Sequence, residues 1–307
     1  MPASHSDYRV WLNGKMISAK SATVPILTHS LQYGSGMFEG IRAYATPKGP
    51  AIFRLDDHLR RFFNTAKMKS MDLGYTQKQV RSAIIEVVRS NRLDSCYIRP
   101  FAFYDDSNIG LRTGSKKISV FVAALPFGAY FGSKKAKGVR CKVSSWRRIN
   151  SNMLPVQAKS SGNYVNSIIA DIEATSQGFD SAILLSENGY VSEGPAENIF
   201  LVKDGRLVTP GVESDILLGI TRDSIINFAS YNGIITEERL VRRDELYSAD
   251  EAFFAGTAAE ITPIVSIDGK KVGSGRPGET TARLSEMYSR IVSGKEREFS
   301  GWLTYVK

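Results

Sequence analysis

A chain of 307 residues with 42% hydrophobic and 23% charged residues can bury a large core and suits two domains better than one. Its net charge of +9 raises nucleic acid as a partner, but the basic residues are scattered over Arg60-Arg61, Lys116-Lys117, Lys134-Lys135-Lys137, Arg147-Arg148 and Arg242-Arg243, without a basic arm or an RNA-binding aromatic motif, so solvated faces account for them. No apolar run reaches membrane-spanning length, residues 1–8 lack the apolar core of a signal peptide, Cys96 and Cys141 sit in separate apolar runs that suit reduced buried thiols, and no His/Cys spacing marks a metal; the expectation is a cytoplasmic protein.

Asn13-Gly14, flanked by alternating residues, predicts a tight hairpin at the start. The glycine-rich run Tyr33-Gly34-Ser35-Gly36-Met37-Phe38-Glu39-Gly40-Ile41-Arg42 lacks the Gly-Lys-Ser/Thr ending of a phosphate loop. A strand is expected over 51–54, and then Asp56 caps a helix over 57–71 with Leu59, Phe62, Phe63 and Ala66 on one face. Arg61 falls beside that stripe, where a surface pairing with Asp57 is its plain reading. A second helix is expected over 77–92, followed by a strand over 95–101 whose alternation puts Tyr97 and Arg99 on one face. A guanidinium on an interior strand face requires an anion. After a continuous apolar strand over 117–125, the mixture of glycine, aromatics and charge in 126–135 marks a connection. The expected division is a first domain over 1–126, a linker over 127–138 and a second domain over 139–307. That second half reads as a strand over 139–146, a helix over 164–176, hairpins turned by Asn188-Gly189 and Asp204-Gly205, a helix over 221–231, a buried strand over 251–256 and a C-terminal helix around 281–291 with Leu284, Met287, Tyr288 and Ile291 at helical spacing.

Two stretches in that half carry chemistry. In Gln157-Ala158-Lys159-Ser160-Ser161-Gly162-Asn163-Tyr164, Lys159 stands apart from the chain's basic clusters, among small residues. An amine so placed is a candidate nucleophile once it loses its proton. Tyr190 to Phe200 alternates up to Glu193, breaks at Gly194-Pro195 and resumes as an apolar run, which predicts two strands joined by a special turn. A carboxylate there is costly without a cation or N–H partner, so one of Glu193 and Glu197 has a chemical task. Gly219-Ile220-Thr221 opens a helix with Asp223 in its first turn, which serves equally as a cap or an anion seat. Beside the turn Gly256-Thr257-Ala258, which exposes N–H groups after a buried strand, the anion reading gains weight.

Together, Lys159, the Ser192-Glu193-Gly194 to Glu197-Asn198 run, Leu217-Leu218-Gly219-Ile220-Thr221-Arg222 and Gly256-Thr257-Ala258-Ala259-Glu260-Ile261-Thr262-Pro263 resemble the class IV aminotransferases, and among them the branched-chain amino acid group, over about 10–272. Leu218 departs from the pattern, where relatives often have Pro. The resemblance implies a two-domain α/β (α+β) fold of fold type IV, pyridoxal 5'-phosphate as cofactor, and amino transfer between branched-chain L-amino acids and 2-oxoglutarate. D-amino acid aminotransferase and aminodeoxychorismate lyase are the alternatives within the family. It further implies a homo-oligomer, a dimer or a dimer-based hexamer, that acts on small-molecule amino acids and 2-oxo acids, with neither nucleic acid nor membrane as partner. A positive field would suit a phosphorylated cofactor and dicarboxylate substrates.

By the same resemblance Lys159 anchors the cofactor and moves the α-proton, Glu193 pairs with the ring nitrogen and Tyr164 with the phenolic oxygen. The cofactor phosphate falls to Arg61, the loop Gly219 to Thr221 with Ile220, and Thr257. Leu217, Glu197 and Gly256 belong to the same shell. Tyr97 and the N–H groups of Thr257 and Ala258 would take the substrate α-carboxylate. Tyr33, Phe38, Tyr130 and Tyr164 would wall an apolar pocket, with Arg99 reserved for the distal carboxylate of glutamate.

Overall fold

Asn13 and Gly14 take positive φ of 47° and 87°, the pair of left-handed residues that a two-residue turn requires, and they fold β1 (Arg9–Leu12) back onto β2 (Lys15–Ser18). The computed structural model describes residues 8–107, 110–114, 117–128, 130–132 and 134–306. Residues 1–7 of the amino-terminal stretch, Lys116, and Ala129 and Ser133 of the expected linker lie outside them.

After α1 (His29–Tyr33) come the short strands β3 (Met37–Phe38), β4 (Ile41–Tyr44) and β5 (Ala51–Phe53). The next helix, α2 (Leu55–Met68), begins ahead of the expected start because Arg54, left-handed at φ 50°, is its N-cap in place of Asp56. Asp56 and Asp57 fall instead in the first turn, where carboxylates suit the positive helix end. Leu55, Leu59, Phe62 and Ala66 form its buried stripe, and α3 (Gln77–Ser90) opens on a reciprocal capping box between Thr76 and Gln79. The long strands β6 (Cys96–Tyr104) and β7 (Ile118–Pro126) pair antiparallel over their whole length. Cys96, on β6, is a free buried thiol that burial pushes up to about 12.

The second half contains α4 (Lys134–Lys137), β8 (Val139–Arg147), α5 (Tyr164–Ser176), β9 (Ser181–Leu185), β10 (Asn198–Lys203), β11 (Arg206–Pro210), α6 (Ile220–Tyr231), β12 (Thr236–Arg239), α7 (Glu245–Ser248), β13 (Glu251–Gly256), β14 (Glu260–Ile267), β15 (Lys270–Lys271) and α8 (Glu279–Val292). A last strand, β16 (Leu303–Tyr305), follows.

Among the described residues the strands form two sheets. One runs β16-β5-β4-β6-β7-β1-β2, with β3 also on β6, and every pairing in it is antiparallel. The other runs β12-β11-β10-β13-β14-β8-β9, with β15 on β14, and mixes antiparallel hairpins with parallel neighbours at β11/β12, β14/β8 and β8/β9. The chain divides into two compact units. The first takes the chain up to Phe127, Ala158–Gly162 and the residues from Ile291 onward; the second takes Gly128–Gln157 and Asn163–Arg290.

This division differs from the expected one at the linker, whose Phe127 falls in the first unit and whose residues from Gly128 on fall in the second, and in two further places. Residues 158–162 join the first unit because Phe38 N–H donates to the Lys159 carbonyl at 3.0 Å and Met37 bridges Ser160. The chain's end joins it because Leu303, Thr304 and Tyr305 pair with Phe53, Ile52 and Ala51. No helix among the described residues is long and apolar enough to cross a membrane.

Candidate active site

Lys159 is pinned through its backbone on both sides. Its N–H donates to Thr65 Oγ1 of α2 at 3.2 Å and its carbonyl accepts from Phe38. The ammonium lies 5.3 Å from the centroid of the Phe38 ring, and the Arg99 guanidinium lies 4.3 Å from the same centroid. Arg99 Nη2 donates to the Tyr97 hydroxyl at 2.8 Å, as their shared strand face predicts. Among the described residues Arg99 has no carboxylate partner, and its buried Nε makes no hydrogen bond. A methyl group on Gly40 would come within 2.2 Å of the Tyr97 hydroxyl, so this close passage of the chain admits glycine alone.

Arg61 does not pair with Asp57, which binds Arg54 and Arg60. It grips Glu39 instead, Nε to Oε1 at 2.6 Å and Nη2 to Oε2 at 2.9 Å. Burial alone would raise the Glu39 pKa, but the Arg61 charge and the hydrogen bonds from Arg61 and His58 hold it well below the usual carboxylate range. Tyr33 stands 42% exposed on α1 against the His29 ring.

In the second unit the expected strand after Asn188-Gly189 is irregular. Leu184 donates to the Glu193 carbonyl and accepts from Ser192 N–H, so two residues oppose one, a β-bulge that re-aims the Glu193 side chain. Its carboxylate meets Arg148 Nη2 at 3.0 Å, Asn198 Nδ2 at 3.0 Å and the Leu217 N–H at 3.1 Å. Glu197 turns onto its own turn, accepting the Ala196 N–H at 3.0 Å.

Gly219 is the N-cap of α6 and has no side chain to cap the N–H groups at Ile220 and Thr221. A methyl group there would come 2.0 Å from Asn198 Oδ1. Thr257 and Ala258 occupy the turn of the β13–β14 hairpin, which Gly256 and Glu260 close. Tyr164 begins α5, half-buried, and Tyr130 is exposed beside Phe131.

Sequence reasoning missed Glu39, His58, Arg148 and Asn198. Arg148 looked like half of a surface Arg-Arg pair. Asn198 follows Glu197 directly, and its place at the start of an apolar strand was the available signal.

Chemically, the first unit offers an amine, an aromatic ring and arginines. The second offers a fixed carboxylate, which can only accept, and an uncapped helix start. Unit by unit, these are the kinds of group that a phosphorylated pyridine aldehyde engages: an amine for the aldehyde, a carboxylate for the ring nitrogen, and guanidinium or uncapped N–H groups for the phosphate.

The model of the family "Amino-transferase class IV" matches residues 36–267. The chain is 44% identical over 308 residues to a branched-chain-amino-acid aminotransferase of Pseudomonas aeruginosa, covering 100% of both. A crystal structure of branched-chain aminotransferase from Thermoproteus uzoniensis with norvaline superposes with a TM-score of 0.93 at 46% identity, covering 98% of this chain and 99% of that one. The T.th. branched-chain amino acid aminotransferase complexed with N-(5'-phosphopyridoxyl)-L-glutamate gives 0.95 at 44% identity, covering 99% and 100%. Sequence motifs, two-sheet fold and full-length similarity agree: the chain belongs to the class IV aminotransferase family.

Proposed function

We propose that this chain transfers the amino group of leucine, isoleucine or valine to 2-oxoglutarate, giving branched 2-oxo acids and L-glutamate, with pyridoxal 5'-phosphate as cofactor. The observation that carries the reading is the Phe38 ring, with the Lys159 ammonium at 5.3 Å and the Arg99 guanidinium at 4.3 Å. An aliphatic side chain and a carboxylate thus both find a partner near the amine. The norvaline and phosphopyridoxyl-glutamate complexes of the neighbours support the same pair of substrates.

When bound, the cofactor supplies an electron sink for the carbanion at the substrate α-carbon. Lys159 holds it and moves the proton at that carbon. Glu193, fixed by Arg148 and Asn198, keeps the ring nitrogen protonated, and the Tyr164 hydroxyl serves the phenolic oxygen. Arg61, the N–H groups of Ile220 and Thr221 beyond Gly219, and Thr257 take the phosphate. Leu217 braces Glu193, while Glu197 and Gly256 shape the turns behind it. Tyr97 and the N–H groups of Thr257 and Ala258 take the α-carboxylate. Phe38 and Tyr33, and by the family resemblance Tyr130 and Tyr164, offer rings to a branched side chain, and Arg99 binds the distal carboxylate of glutamate.

The enzyme works in the cytoplasm on small molecules, as a homo-oligomer. Supporting the homo-oligomer, α5 leaves Val165, Ile168, Ile169 and Ile172 exposed along one face, and Ile26, Leu27 and Leu31 are exposed as well, the kind of apolar surface that marks an association site. Sedimentation should give a dimer or larger. Single-turnover absorbance changes with L-leucine, L-glutamate, D-alanine and aminodeoxychorismate test the activity: the first two should react, and turnover of either of the others in their place would sink the reading.

A further inference from the structure

The Glu39–Arg61 contact joins the outgoing end of β3 to α2, within the first unit. Glu39 N–H donates to the Pro100 carbonyl at 2.9 Å, and its side chain is wholly buried. The two bonds from Arg61 leave the guanidinium by its Nε/Nη2 edge. A bidentate contact of this kind fixes the plane of the group and turns the remaining corner, Nη1, away from the carboxylate.

His58 stands one turn earlier on α2, with Nδ1 2.8 Å from Glu39 Oε2. Burial lowers the His58 pKa, only partly offset by Glu39, so the ring is neutral near pH 7. A carboxylate oxygen only accepts, hence Nδ1 carries the proton. One turn beyond Arg61 on the same helix, Thr65 receives the Lys159 N–H at 3.2 Å. A single stripe of α2 therefore sets both the plane of Arg61 and the backbone of the amine.

We propose that Glu39 is a positioning residue that holds Arg61 in the orientation that receives the phosphate of the cofactor. The inference rests on the pyridoxal phosphate reading above. Glu39 acts through the guanidinium, and His58 keeps its second oxygen from swinging.

The test compares apoprotein of the parent and of Glu39→Gln, titrated with pyridoxal 5'-phosphate and with pyridoxal while visible absorbance and protein fluorescence are followed. Loss of a charged hydrogen-bond partner should weaken binding of the phosphorylated ligand on the order of tenfold or more. Pyridoxal, which has no phosphate, should bind as it does to the parent. In an Arg61→Met background Glu39→Gln should add no further phosphate-selective loss. Equal losses on both ligands, parent affinity for both, or a further selective loss without Arg61 would each overturn the proposal. Should Glu39→Gln fail to fold, Glu39→Asp keeps the charge, withdraws it by one methylene and is judged by the same outcomes. A parent apoprotein that takes up neither ligand overturns the cofactor reading itself, before any variant is compared.

Discussion

Each unit buries one carboxylate against one arginine, and the two pairs are built in opposite senses. In the first, Glu39 is fully buried while Arg61 keeps 14% of its side chain exposed. Its side-chain donors, His58 and Arg61, lie one turn apart on a single helix, and the accessible member is the cation. In the second, Glu193 and Arg148 are equally buried, each side chain 8% exposed. There the donors come from three separate places, the residue just after β8, the start of β10 and the loop before α6. What is immobilised is the carboxylate. Removing one member of either pair strands a buried charge, but the functional cost should differ: cofactor affinity in the first unit, rate in the second.

The largest effect should belong to neither pair. On the proposed roles, Lys159→Ala removes anchor and proton carrier together and should lower kcat by more than about 10⁴-fold and abolish the visible chromophore of the purified protein. Turnover near the parent rate would remove the amine from the centre of the chemistry. Next comes Glu193→Gln, expected to keep fold and bound cofactor but to lose about 10²- to 10³-fold in kcat. A loss of cofactor with unchanged rate would make the second pair a copy of the first and erase the contrast between them.

Arg99→Leu should cost roughly 2–3 kcal/mol in kcat/KM for glutamate and much less for leucine, because an aliphatic side chain offers a guanidinium nothing to bind. Equal losses on both substrates would turn Arg99 into an α-carboxylate or framework residue. The smallest effect is acid lability of the first unit. His58 has its folded pKa lowered by burial, so as pH falls below about 6.5 the unfolded chain takes up a proton that the folded one refuses. Glu39, held low chiefly by Arg61 against its burial, adds to the loss once pH falls below about 4.3. Melting temperature should decline from pH 7 to pH 5 in the parent and stay flatter in His58→Gln.

Local signals in the sequence located most elements. Asn13-Gly14 and Asp204-Gly205 both turn hairpins with positive φ, and the α2 and α3 stripes follow from residue spacing. What escaped depends on partners far apart in the chain. Nothing local says that Glu39 will meet a helix residue at 61, or that Arg148 will meet Glu193. The start of α2 escaped as well, because Arg54 takes a left-handed conformation that its residue type does not advertise. Of the two acidic residues at the special turn, the bulge opposite Leu184 singles out Glu193 for the Arg148 contact, and a bulge leaves no mark in an alternating pattern.

The pairing of β16 with β5 also orders the events of synthesis. Every strand of the second sheet leaves the ribosome before residue 303 does, so that sheet can close while the first still waits for a strand from the far end of the chain. Until then β5 presents an open edge of the sort that captures neighbouring chains, and closing it requires a contact across most of the polypeptide. The first sheet is thus completed after the second, and a chain cut short before residue 303 would leave the β5 edge open.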